Sequence, residues 1–177
     1  GLRLGSEFPN RISYYDQLLI DSDFLKSHPP QKVIHLGFAP TSKRWLGEME
    51  KLPADTLVWI KEGSSRLDPT NRFRSVFETS VEDFCSEMIS KLNKRKKSEC
   101  SIHWLDQSNK IEKLMEQFAK NHPLFSEMKL VRTLTKIIHE SHALFLGNSL
   151  PVREVDFYGS GNGSEVKVGL NRGASGI

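Results

Sequence analysis

Cysteine is scarce in this sequence: only Cys85 and Cys100 occur among 177 residues, and their spacing fits neither a metal knuckle nor a redox pair. No disulfide framework is therefore implied. One thiol falls in a helical stretch and the other at a strand edge, as expected of structural cysteines in a reducing compartment. Long apolar runs are also lacking, and none approaches the roughly 20 residues that cross a bilayer. The opening "GLRLGSEFPN" has no basic-then-apolar build of a secretory leader. Charge of one sign is not concentrated: a net +3 with 27% charged residues gives no basic face of the kind nucleic acids select. Neither nucleic acid nor membrane is expected as a partner. No internal repeat is visible.

What remains is enough apolar material, 37% of residues, for one sizeable core. The apolar run Val33 to Phe38, a helical stretch from Thr41 to Leu52 and a second run from Thr56 to Ile60 make a β-α-β unit. "TSVEDFCSEMISKL" carries a Thr/Ser cap and early acids, with Val81, Phe84, Cys85, Met88, Ile89 and Leu92 on one stripe, and predicts a helix ending near Asn93. "CSIHWL" reads as a strand. "DQSNKIEKLMEQFAKNHP" reads as a helix with Ile111, Leu114, Met115, Phe118 and Ala119 facing inward until Pro123. "SEMKLVRTLTKIIHESH" repeats that pattern with Leu130, Val131, Leu134, Ile137 and Ile138, and leads into the strand "ALFLG". Alternation of this kind predicts an α/β fold, a parallel sheet with helices on both faces. The polar stretches 93–99 and 159–165 are expected to be mobile loops.

In such a sheet, ligands gather beyond the carboxyl ends of the strands, where helix N-termini present free N–H groups. "APTSKRW" puts Lys43 and Arg44 in the first turn of a helix at that edge. Cations there oppose the helix dipole by a few tenths to about 1 kcal/mol each, so a bound anion accounts for them, although two solvated side chains account for them as well. "LFLGNSLPVREVD" brings Gly147, Asn148 and Ser149 to a second such turn, with Pro151 at an early helical position and Arg153 able to fork onto a carboxylate. Ser149 lacks the glycine elbow of a hydrolase nucleophile and reads as a hydrogen-bond donor. "HESH" at 139–142 offers two histidines three apart on a helix, without a third ligand, and His142 also suits a helix C-terminus without metal. "GSGNGS" is a loose imitation of a dinucleotide fingerprint and reads as a loop, and "NKRKK" has no interleaved aromatics to stack on bases.

"LGNSLPVREVD" followed by "NRGASGI", with "TSKRW" and "RLDPTNRFR" in order upstream, resembles the MenD family across most of the chain. These are the thiamine-diphosphate-dependent 2-succinyl-5-enolpyruvyl-6-hydroxy-3-cyclohexene-1-carboxylate synthases of menaquinone and phylloquinone biosynthesis. The basic and Gly/Ser insertions look more like those of the plant multifunctional PHYLLO proteins than of compact bacterial enzymes. The resemblance implies three domains, of which residues 1–158 would be the Rossmann-like central one, lacking its first strand-helix unit. Residues 159–177 would be a linker and the start of the diphosphate-binding domain, so that the chain ends just inside that domain.

The resemblance also implies chemistry: decarboxylation of 2-oxoglutarate on thiamine diphosphate, and addition of the resulting succinyl carbanion to isochorismate. Lys43 and Arg44 match family residues that meet isochorismate. Asn148, Ser149 and Arg153 match residues lining the pocket and engaging carboxylates, Arg172 matches an active-site arginine, and Ile177 matches the aliphatic residue that holds the cofactor bent. The activating glutamate and the magnesium ligands belong to the flanking pyrimidine-binding and diphosphate-binding domains. No catalytic residue or metal ligand is therefore expected within this chain, which alone would bind neither thiamine diphosphate nor Mg2+ and would be inactive. A homo-oligomer is expected, in the chloroplast if the source is a plant and otherwise in the cytoplasm. The competing reading is a non-catalytic Rossmann-like module that binds a nucleotide or acidic metabolite.

Overall fold

The structure is a computed structural model, and it describes residues 8–37, 42–63, 71–93, 96–161 and 165–171. In chain order the elements are α1 (Tyr15–Leu18), α2 (Phe24–Ser27), β1 (Val33–Leu36), α3 (Lys43–Lys51), β2 (Leu57–Lys61), β3 (Ser75–Glu78), α4 (Val81–Lys91), α5 (Glu99–Asn121), α6 (Glu127–Ile137), β4 (Ala143–Leu146), α7 (Leu150–Tyr158) and β5 (Lys167–Leu170). Among the described residues every strand pairing is parallel and helices flank the strands, the expected α/β class. Among the described residues no helix is long and apolar enough to cross a membrane. The chain forms two compact units, Leu19–Ser98 and Gly1–Leu18 with Glu99–Ile177.

In the unit Leu19–Ser98 the strand order is β1-β2-β3. The central strand reads "LVWIK", the near-continuous apolar pattern of a strand covered on both faces, and Leu57, Trp59 and Ile60 are buried together with Met49 of α3. Gly37 leaves β1 at φ +76°, a conformation that a side chain would strain, and its N–H donates to the Ile60 carbonyl at 2.9 Å. Ser42 and Ser80 cap α3 and α4 by accepting from the N–H groups of Trp45 and Asp83. Four of the six stripe residues expected on α4 are seated: Val81, Phe84, Cys85 and Met88 are half-buried. Ile89 and Leu92 are exposed instead, because Ile89 lies at the margin of the stripe and Leu92 is the C-cap.

In the other unit β4 and β5 pair in parallel over a core of Leu144, Leu146 and Val166, packed by Leu134, Ile138, Val152, Val155 and Val168. The sequence reading assigned no strand to 167–170. It also placed a strand at "CSIHWL", whereas those residues belong to α5, so Cys100 is helical and lies at no strand edge. The true period runs Trp104, Ser108, Ile111, Met115 and Ala119, a helical stripe hidden by the polar Ser108 at its centre. Ser108 is buried because its Oγ accepts from the Tyr14 N–H at 3.3 Å. Leu114 and Phe118, expected inward, lie off that stripe and are exposed, as are Leu130 and Ile137 of α6.

On α6 the buried positions are Val131, Arg132 and Thr135, which rotates the inner face onto two polar residues. Arg132 donates from Nη1 to the Tyr14 hydroxyl at 3.1 Å and the Tyr158 carbonyl at 3.2 Å, and from Nη2 to Glu112 at 2.7 Å and Glu116 at 3.0 Å. The Tyr14 hydroxyl donates in turn to Glu112. The Thr135 hydroxyl donates to the Val131 carbonyl at 2.8 Å and accepts from the Ser160 N–H at 2.9 Å, so the node ties the N-terminal segment, α5, α6 and the end of α7 together.

Candidate functional site

Lys43 and Arg44 are the first two residues of α3, which follows the carboxyl end of β1, and both are exposed. No acidic residue shares that first turn, so two cations stand at the positive end of the α3 helix dipole and make it electropositive. Ser42, 7% exposed, anchors the turn through its cap. The adjacent central strand ends in a cation that the sequence reading overlooked. Lys61 is 6% exposed, its Nζ lying 3.1 Å from Glu78 and 5.7 Å from the centroid of the Trp59 ring. A charge closing the apolar run "LVWIK" was the available signal. Trp59 is flanked by His35 and Phe73, with ring centroids 6.0 and 5.6 Å away.

In the other unit the strand-to-helix turn from β4 to α7 brings Asn148, Ser149 and Arg153 together. Ser149 has φ +69° and ψ −108°, a strained conformation for a residue with a side chain, and although it is the N-cap its hydroxyl makes no cap hydrogen bond. That hydroxyl is exposed at the helix start. Asn148 is half-buried beside it, and Arg153, one turn on, is exposed with no ion pair among the described residues. Burial, followed by the carboxyl of Glu127 to which it is hydrogen-bonded, raises the pKa of the neighbouring Glu154. Lys43 and Arg44 thus belong to one unit and Asn148, Ser149 and Arg153 to the other, each set beyond the carboxyl end of a strand in its own sheet. Arg172 and Ile177 lie outside the described residues.

"HESH" is not helical: α6 stops at Ile137, and His139 to His142 form the turn before β4, so His142 occupies no helix C-terminus. The Ser141 N–H donates to Nδ1 of His139 at 3.2 Å, making that nitrogen an acceptor and placing the proton of the neutral ring on Nε2. Among the described residues no group of three His, Cys, Asp or Glu side chains is placed to hold a metal ion.

A layered α/β chain of parallel strands flanked by helices is a domain of the Rossmann-like class. Residues 4–146 match the family described as the middle domain of thiamine pyrophosphate enzymes, and the chain belongs to that family. It is 28% identical, over 99% of its length, to the 2-succinyl-5-enolpyruvyl-6-hydroxy-3-cyclohexene-1-carboxylate synthase of Rubrobacter xylanophilus. It is 29% identical over 90% of its length to the synthase of that name from Chlorobium phaeobacteroides, and 24% over 99% to that from Salinibacter ruber. The chain spans 30%, 28% and 30% of those three relatives.

Proposed function

We propose that this chain is the central domain of a thiamine-diphosphate-dependent synthase that decarboxylates 2-oxoglutarate and joins the four-carbon remainder to isochorismate. The family match over residues 4–146, together with relatives that bear this synthase's name, is the observation that carries the reading. Thiamine diphosphate supplies the bond-breaking chemistry when bound. Mg2+ and the cofactor's diphosphate are assigned, in this reading, to the diphosphate-binding domain. What this chain contributes is charge: Lys43 and Arg44 bind the carboxylates of isochorismate, and Arg153, with Asn148 and Ser149, orients those of 2-oxoglutarate. Residues 1–158 form the central domain and 159–177 the linker into the diphosphate-binding domain, with Arg172 and Ile177 completing the site there. The whole enzyme is a homo-oligomer and the isolated chain is inactive. The insertions at 93–99 and 159–165 favour a plant origin, and with it phylloquinone biosynthesis in the chloroplast; a bacterial source would place the enzyme in the cytoplasm.

A second reading, a module that binds an acidic metabolite unaided, is favoured by the electropositive start of α3 alone. One set of kinetics separates the two. The full-length protein should form product from both substrates, and Arg153→Ala should lower kcat/KM for 2-oxoglutarate about 10- to 100-fold, the loss of a charged hydrogen-bonding partner. Unchanged kinetics would remove Arg153 from the site. Micromolar binding of a nucleotide or dicarboxylate by the 177-residue chain, with no product from the full-length protein, would establish the module instead.

A further inference from the structure

β4 and β5 are adjacent parallel strands, and their ladder continues past the last paired residues. Leu146 faces Leu170 in register, and one residue further on the Asn171 N–H donates to the Leu146 carbonyl at 3.1 Å. Asn171 is thereby fixed beside Gly147, the residue that opens the turn into α7. Contacts settle the face on which it stands. A Cβ on Gly169 would lie 2.7 Å from Cδ2 of Phe145, so positions 145 and 169 share a face, the one opposite the buried pair Leu144 and Leu146. Side chains alternate along a strand, which carries Gly147 and Asn171 onto that same face. Gly147 brings no side chain there, and no atom comes within 4 Å of the place its Cβ would occupy. A primary amide at the end of β5 thus borders an open position at the end of β4. Asn171, Ser149 and Arg153 are all exposed, and among the described residues none of their side chains has a hydrogen-bonding or ionic partner.

We propose that Asn171 is a further substrate-binding residue of the β4–α7 turn, donating its amide N–H to the distal carboxylate of 2-oxoglutarate; the inference rests on the function proposed above for Asn148, Ser149 and Arg153. The chemistry selects that carboxylate. The group on the first carbon leaves as carbon dioxide, so donors that hold the molecule through the reaction must grip the end that stays. Arg153 supplies the charge, while a hydroxyl and an amide supply direction without adding further charge. The amide is also held in place before any ligand arrives. Its own backbone is bonded to Leu146, so the same strand pair carries both Asn171 and the start of the turn, as a preorganised donor set requires.

Asn171→Ala and Asn171→Asp in the full-length protein test this, with Arg153→Ala in parallel. Loss of a hydrogen bond to a charged group predicts a fall of about 10- to 100-fold in kcat/KM for 2-oxoglutarate in the alanine variant, with kcat/KM for isochorismate within about twofold of wild type. The aspartate variant should be the worse of the two, because it sets a carboxylate against a carboxylate while keeping the shape of asparagine. A merely structural asparagine would give the reverse order, since the isosteric change is the gentler one, and would affect both substrates alike; that result overturns the inference. If Arg153→Ala impairs the use of 2-oxoglutarate and neither Asn171 variant does, the inference fails and the proposed function stands. If none of the three variants changes it, the carboxylate site at this turn fails and the inference falls with it. Should Asn171→Ala not fold, Asn171→Asp decides, because it keeps the backbone N–H on Leu146, and an unchanged kcat/KM for 2-oxoglutarate would remove Asn171 from the site.

Discussion

Nη2 of Arg132 stands 2.7 Å from Oε1 of Glu112, with the arginine side chain 2% exposed and the glutamate 22%. The pair is the centre of a node in which one guanidinium serves Tyr14, Tyr158, Glu112 and Glu116 at once. A buried charge costs its hydration, so the node holds only while each acceptor is met. Arg132→Ala should lower the stability of the chain by on the order of 3 kcal/mol in urea unfolding. Arg132→Lys should recover only part of that, because a single ammonium cannot reproduce the fork that reaches four acceptors. Wild-type stability in the lysine variant would show that the fork geometry is immaterial.

Glu116, at the solvent edge of the same node, makes part of this stability depend on pH. Its hydrogen bond to Lys136, 2.5 Å away, outweighs the opposing effect of burial and, with Arg132 assisting, holds its carboxyl below the ordinary value of 4.5. A carboxyl depressed in the folded state contributes stability that is fully present above its unfolded pKa and is lost as pH falls through the folded one. The stability of the wild type should therefore fall below about pH 4.5, and Glu116→Gln should flatten that acid limb while lowering stability at neutral pH. Glu154 acts in the opposite sense, since burial and Glu127 raise its pKa, and its cost appears as pH rises through that window. Urea midpoints of Glu116→Gln and Glu154→Gln between pH 3 and 7 check the two slopes, and parallel curves for Glu116→Gln and wild type would remove Glu116 from the acid transition.

The parts of this fold that follow hydrophobic period were legible before the structure. Val33 to Leu36, Lys43 to Lys51 and Leu57 to Lys61 fell where an apolar run, a helical stretch and a second apolar run put them. Errors arose where a polar residue took a core position. Ser108 interrupts the inner stripe of α5 and left "CSIHWL" looking like a separate strand, and Arg132 with Thr135 turns α6 away from its expected apolar face. Both positions are occupied because partners from distant parts of the chain satisfy them, and single-sequence periodicity carries no record of such partners. β3 has four exposed residues and β5 contains Gly169 against Phe145, so neither gave a pattern to read. The cations of the candidate site were legible because they break a local rule, positive charge at a helix start, whereas Lys61 closes an ordinary strand and its burial is a tertiary fact.

Ser149 gives the clearest local test of whether the β4–α7 turn stores strain. Its backbone sits at φ +69° and ψ −108°, and conformations of this kind cost about 1–3 kcal/mol in a residue with a side chain. Its hydroxyl caps nothing, so removing that group alone should matter little to folding. Ser149→Ala keeps the Cβ and the strain and should change stability by less than about 0.5 kcal/mol. Ser149→Gly releases the strain and adds about 0.5–1 kcal/mol of unfolded-state entropy, so it should stabilise the chain by about 1 kcal/mol net. If urea midpoints place the two variants together, the turn is relaxed as it stands. If glycine is the more stable and, on the function proposed above, the full-length protein carrying it binds 2-oxoglutarate less tightly than the alanine variant does, the strain holds the turn in the geometry proposed for carboxylate binding.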